Sequence, residues 1–363
     1  MTSGLDTGPP QQPGAAVNGK PERMRFSVDT WDPAYAMVLD VEDVLGESTA
    51  RVDLTMELPP GQWRAIDPDP VQALPEALLF VDGVRRIDAR IWIEEDAPVG
   101  GLAAEASPAM CASYAAGVVC CRGQRAHLVL VAARRGVFAV SPGVTDVVTW
   151  AGRYTACRTA ASAARPLSVT LAQALQRRLG DVEVQTAIAA RSAVASHGVP
   201  AGGDLLVVDG PLRGRQHLPR ALGYIKSHRT TYLPPDLNPL VGTLSPGQRT
   251  PVFLIGTSWD RHTWYLRLPG PAGAPWAGVA RIECSADLPP AEVIRLANLS
   301  QAALGRFASA EYKDARAPQN LYPIAGLERE LRRRLGDPRV LQRALLLTAE
   351  ASRARLGAQR SGY

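Results

Sequence analysis

Between residues 78 and 268 the apolar positions come mostly in short continuous or alternating runs, the pattern of strands. They change to helical spacing over 171–196 and again beyond residue 290. The run 78–81, the Asp82-Gly83 pair and the alternating segment 87–93 predict a hairpin with Asp82 at its base, since Asp-Gly is the commonest two-residue hairpin turn. An alanine-rich stretch follows, then strands over 127–132 and 136–140. Helical spacing at 171–179 is expected to stop at Gly180 and resume over 182–196 with Asp181 as N-cap. Further strands are predicted at 204–208, 222–227, 251–256, 263–268 and 278–284, with a proline-rich connection over 234–246. Helices at 291–307, 324–335 and 339–356 close the chain. Strands and helices interleaved in this way give an α/β fold around one sheet.

Composition divides the chain further. Residues 1–23 are rich in Gly, Pro and Gln and lack apolar periodicity, so they are expected to form a disordered tail. Residues 24–76, with short alternating segments at 24–28, 36–39 and 50–56, predict a small β-rich element. The main unit spans 77–345, and 346–363 is a helix end and tail. The formal charge of +5 is mild and carried mostly by arginine, which matches phosphate geometry better than lysine does. Five cysteines without regular spacing, and no leader-like opening segment, suggest a reduced, cytoplasmic protein. A zinc site from Cys111, Cys120, Cys121 and His127 lacks the short paired knuckles such sites use. No uninterrupted apolar run reaches the roughly 18 to 20 residues a membrane helix needs. The chain has neither a Walker A loop nor a G-x-G-x-x-G after a strand, which argues against ATP hydrolysis by the chain itself.

The candidate chemistry lies in a repeated pattern, Val81-Asp82-Gly83 and Val208-Asp209-Gly210, each closing an apolar run. A carboxylate after so apolar a run is costly unless it has a partner or a purpose. Two such hard oxygen donors, with glycine behind each to let a ligand approach, suit a divalent cation. Arg85 and Arg86 follow the first copy and Arg213 and Arg215 the second, where a phosphate-bearing substrate such as DNA needs cations. Glu283 shares a strand face with Arg281, so an ion pair is its default reading. Glu183 lies early in the resumed helix, where the helix dipole already favours an acid. Tyr322, before a proline, is suited to stacking on a base or to packing. The segment 328–335 presents arginines outside an apolar stripe of Leu327, Leu331 and Leu335.

In these segments, from Leu78 to Leu345, the chain resembles the NurA nucleases, prokaryotic DNA-end-processing enzymes with an RNase H-like core. The resemblance rests on Phe80-Val81-Asp82-Gly83, Val207-Val208-Asp209-Gly210-Pro211-Leu212, Gly223-Tyr224-Ile225-Lys226-Ser227, Val279-Ala280-Arg281-Ile282-Glu283 and Asn320-Leu321-Tyr322-Pro323. It implies an RNase H-like mixed sheet flanked by helices. It also implies a Mn2+- or Mg2+-dependent nuclease working as a homodimer with a HerA-like hexameric ATPase in DNA end processing or double-strand break repair. Asp82 and Asp209 would be metal ligands and Lys226 would face the scissile phosphate or the attacking water. The family's helix glutamate finds Arg191 and Ser192 here, with Glu183 one or two turns earlier. Its late histidine is absent, and Glu328 and Glu330 stand in that region. A module that keeps the fold to bind DNA or dock an ATPase with weakened catalysis is the alternative. An enzyme for a small phosphorylated ligand is a third.

Overall fold

A computed structural model describes residues 50–94, 106–228, 230–270 and 273–360. The strands are β1 (Arg51–Asp53), β2 (Ala77–Glu94), β3 (Ala106–Arg122), β4 (Arg125–Ala139), β5 (Val147–Thr149), β6 (Gly152–Arg158), β7 (Asp204–Asp209), β8 (Ala221–Ile225), β9 (Phe253–Gly256), β10 (Asp260–Arg267) and β11 (Val279–Ser285). The helices are α1 (Leu167–Ser196), α2 (Asn238–Thr243), α3 (Pro290–Leu304), α4 (Tyr322–Arg334) and α5 (Pro338–Arg360). All the strands join one mixed sheet, ordered β1-β9-β10-β11-β8-β7-β2-β3-β4-β6-β5. Its centre is an antiparallel meander, β2-β3-β4, with β7 and β8 added parallel to β2. This is the α/β fold, a mixed sheet flanked by helices, that the sequence leads one to expect. The expected tail over 1–23 and the strands at 24–28 and 36–39 lie outside the described residues. The segment at 50–56 supplies β1, which pairs with β9 at the sheet edge.

Alternation along β2 sorts its side chains between two cores. Leu79 and Val81 meet Ala187, Ala190 and Val194 of α1. Leu78 and Phe80 meet Val293, Leu296 and Ile324, from α3 and α4, on the other face. Val84 continues that second face against Leu327, Leu331 and Leu335. The sheet is thus covered on both sides near β2, and Asp82, between Phe80 and Val84, shares the α4 face.

Three expectations are corrected by this double covering. The predicted hairpin at Asp82-Gly83 does not form, because β2 runs straight through it, paired with β3 without a break from Leu78 to Ile87. A turn dipeptide yields here to the unbroken ladder with β3. The alanine-rich stretch is itself a strand, β3. Ala112 and Ala116 lie under α1 and Ala115 under α4, so both faces are buried and the alternation that marks a half-exposed strand disappears. Finally, α1 does not stop at Gly180. Its buried stripe of Leu171, Leu175, Leu179, Val182, Thr186, Ala190 and Val194 crosses that glycine in phase, and packing outweighs the roughly 1 kcal/mol that glycine costs in a helix. No helix among the described residues is long and apolar enough to cross a membrane.

Candidate metal centre and its polar network

The parallel register pairs Val81 with Val208, so the next residues, Asp82 and Asp209, stand side by side where β7 ends and β2 continues. Both are carried on the face that Phe80 and Val207 share with α4. Asp82 is 9% exposed, and its carboxylate accepts a hydrogen bond from the Gly83 N–H, 2.7 Å from Oδ1. Burial, and then the neighbouring Asp209 carboxylate, push the Asp82 pKa well above the usual carboxylate range. Glu183 and Glu328 act in the same direction, while Lys226 opposes them. Asp209 accepts a hydrogen bond from Lys226 Nζ at Oδ2 (2.7 Å), and its Oδ1 is buried with no hydrogen-bond partner among the described residues. Two adjacent carboxylates, one carrying an orphaned buried oxygen, form a donor set of the hard type that magnesium or manganese takes.

Glu183 reaches this pair from the opposite side of the sheet. A Cβ on Gly83 would overlap Glu183 Oε1 and come within 2.8 Å of Leu179 Cδ1, so the missing side chain is what admits the glutamate. Arg215, on the loop after β7, donates to Glu183 Oε2. Burial raises the Glu183 pKa against the opposing Arg215. Gly83→Ala is therefore expected to displace Glu183 and cost about 1–3 kcal/mol by overpacking, measured as a lower urea midpoint. An unchanged midpoint would show that the notch is not needed.

Lys226 lies one residue past β8, 13% exposed at its side chain, and donates also to Asn320 Oδ1 at 3.1 Å. Asn320 Nδ2 donates to Asp314 at 2.6 Å. Arg316 lies 3.7 Å from Asp314 and donates to Glu328 at 2.8 Å, and Glu328 also accepts from Arg332 at 2.7 Å. Although burial alone would raise the Glu328 pKa, Arg316 and Arg332 hold it below the ordinary range. A chain of alternating charge thus runs from the acidic pair to α4. Lys226→Met, which removes the nearest counter-charge but keeps the length, is expected to destabilise the metal-free protein by about 2–4 kcal/mol. Urea unfolding measures it, and a loss below about 0.5 kcal/mol, the size of an ordinary surface change, would deny the pair its need for the ammonium.

Other predicted residues have different surroundings. Glu283 is fully buried on the far face, where Gly223 makes room for it. It accepts from Leu212 N at 2.6 Å and Arg281 at 3.0 Å, with Arg261 3.3 Å away, so it anchors the loop following Asp209. Arg86, expected to contact DNA, instead donates to Asp88 at 2.9 Å and to the Gly336 and Leu335 carbonyls at 2.8 and 3.4 Å. Its guanidinium satisfies a helix C-terminus, which needs acceptors filled. Arg85 donates to Gln176 of α1 and acts electrostatically on Glu183, and Arg213 lies on the exposed loop beyond β7. Tyr322 opens α4 and accepts a hydrogen bond from Ala310 N at 3.1 Å, with Lys313 Nζ 5.4 Å from its ring centre. Glu330 pairs outward with Arg334 at 2.8 Å. All five cysteines are free and buried. Asn320, Asp314 and Arg316 were not anticipated. The clue available in the sequence was that Asn320 opens one of the segments carrying the resemblance.

Among the described residues, no three His, Cys, Asp or Glu side chains already stand together closely enough to hold a metal. A cleft of about 630 Å3, lined in part by Pro239, Pro275 and Trp276, contains none of these side chains. No protein-family model matches the sequence, and no curated protein matches it. Among solved structures, the crystal structure of the NurA nuclease from Sulfolobus solfataricus is similar, with a TM-score of 0.37 and 10% identity. The alignment covers 74% of this chain and 81% of that one. No residue's role is carried across at that level of similarity.

Proposed function

We propose that this chain hydrolyses phosphodiester bonds in DNA with the help of Mg2+ or Mn2+, held by Asp82 and Asp209, with Glu183 drawn in from the α1 side when the ion binds. The observation that supports the reading is the adjacent buried pair with an orphaned Asp209 Oδ1, since a buried acceptor without a partner is costly unless something fills it. When bound, such an ion polarises a phosphoryl oxygen and activates water. Lys226 holds Asp209 Oδ2, which leaves Oδ1 turned to a ligand, and puts one fixed positive charge beside developing negative charge. Arg85 and Arg213 add cations for the phosphate backbone around the Glu183 side. The sequence resemblance extends the reading to DNA end processing or double-strand break repair, with a homodimer and a HerA-like hexameric ATPase as partner. Co-purification with such an ATPase tests that extension.

A second reading, a weakened module that binds DNA or docks an ATPase, draws on the hold of Arg215 over Glu183 and on the open spacing of the carboxylates. One pair of measurements separates them. Manganese titration by calorimetry, run beside an assay of nucleotide release from single-stranded DNA, is expected to show both binding and release. Intact DNA binding with neither heat nor release would leave only the second.

A further inference from the structure

On the α1 face of the sheet, Arg85 of β2 pairs directly with Tyr114 of β3, and Tyr114 with Arg134 of β4. This cross-strand row lies two residues, about 7 Å, beyond Gly83, the notch through which Glu183 reaches the acidic pair. A cleft of about 420 Å3 opens beside it, lined by Tyr114, Arg134, Arg178, Gln185 and His217 and by a single acid, Asp181. Arg134, Arg178 and His217 are exposed. The sequence between Arg122 and Arg178, which supplies β4, β6 and the first half of α1, holds nine arginines and one acid, Asp146. That surplus exceeds the net +5 of the entire chain, and two of its members, Arg134 and Arg178, line the cleft.

We propose that this cleft binds the sugar–phosphate backbone of a single nucleic-acid strand and leads it toward the Glu183 side of the acidic centre. Cations here are spread over two strands and a helix, wider than one mononucleotide, and the row ends at a residue that acts on Glu183. Arginine forks suit phosphate oxygens, and between two of them the buried Tyr114 packs edge-on against Phe138 and fixes the bottom of the cleft. A polymer is therefore the fitting occupant. The inference rests on the phosphodiester reading and adds the path its substrate takes.

The test is fluorescence anisotropy of the full chain with a labelled oligothymidylate, in a chelator so that no cleavage occurs. Arg134→Glu/Arg178→Glu is compared with the neutral Arg134→Gln/Arg178→Gln, and with Arg51→Glu/Arg64→Glu on the β1 side as a charge-matched control. Unaltered thermal melting shows that each variant is folded, and the neutral pair decides if the reversed pair is not. The groove variants are expected to bind at least about tenfold more weakly, with the salt dependence of log Kd shallower by roughly 1 to 2, while the control stays near wild type. Equal weakening in the control, or wild-type affinity and slope in the groove variants, overturns the path. Displacement by millimolar inorganic phosphate as effective as that by unlabelled strand would reveal an isolated anion site and overturn it too. A wild-type chain that binds no strand would count against the phosphodiester reading itself.

Discussion

Asp209→Asn is expected to lower manganese-dependent release of nucleotides from single-stranded DNA by at least about 10²- to 10³-fold, the scale seen when one group stabilising transition-state charge is removed. The change keeps the shape of the side chain and replaces one oxygen by an NH2 group. Either orientation of the amide does harm. With the NH2 at the Oδ2 position it faces the Lys226 ammonium, which then loses its charged acceptor and keeps Asn320 Oδ1. With the NH2 at the Oδ1 position it fills the buried site that has no partner with a donor no cation accepts. The measurement is an initial rate at saturating metal, with a parallel manganese titration. Activity within a few-fold of wild type would remove Asp209 from the chemistry.

The opposite sign is expected for stability when Asp82 becomes asparagine. Burial and the Asp209 charge raise the Asp82 pKa in the native state, so as pH rises the unfolded chain releases this proton first. The contribution of Asp82 to stability is fully present below the ordinary carboxylate pKa of about 4 and is lost as pH climbs through the raised native value. At neutral pH without metal, Asp82→Asn is therefore expected to stabilise the protein by roughly 1–3 kcal/mol and to flatten the decline above pH 4. Manganese should reverse the order, raising the Tm of the wild type and leaving that of the variant almost unmoved, because a ligand stabilises only the state that binds it. Urea midpoints over a pH series, with and without manganese, test both halves. A variant less stable than wild type at neutral pH without metal would show that the ionised Asp82 is already well compensated.

The sequence carried a good deal of this, for identifiable reasons. β7, β9, β10 and β11 were visible because apolar runs bounded by turn residues are a local signal, and the stripe of Leu327, Leu331 and Leu335 likewise marked α4. β3 was lost because its alanines are packed under helices on both faces, a fact of tertiary structure with no trace in period. Asp82-Gly83 misled for the converse reason, since its turn propensity is real and is overridden only by partners distant in sequence. At the centre, the two aspartates were legible as charges closing apolar runs. What no spacing revealed was the counter-ion arrangement, in which Arg215 holds Glu183 and Asn320 secures Lys226. Arg86 could not be told from its neighbour Arg85 by sequence, although one caps a helix and the other lies beside the groove.

A β-sheet ordinarily insulates whatever lies on one side from whatever lies on the other. The bare backbone at Gly83 removes that insulation at one point, because it lets a glutamate carried by α1 stand within reach of aspartates facing α4. Charge arriving above the sheet is consequently felt below it. A polyanion settling along the arginine row would draw protons toward the carboxylates behind the sheet, so that occupancy on one surface and ionisation on the reverse are thermodynamically linked through a single absent methyl group.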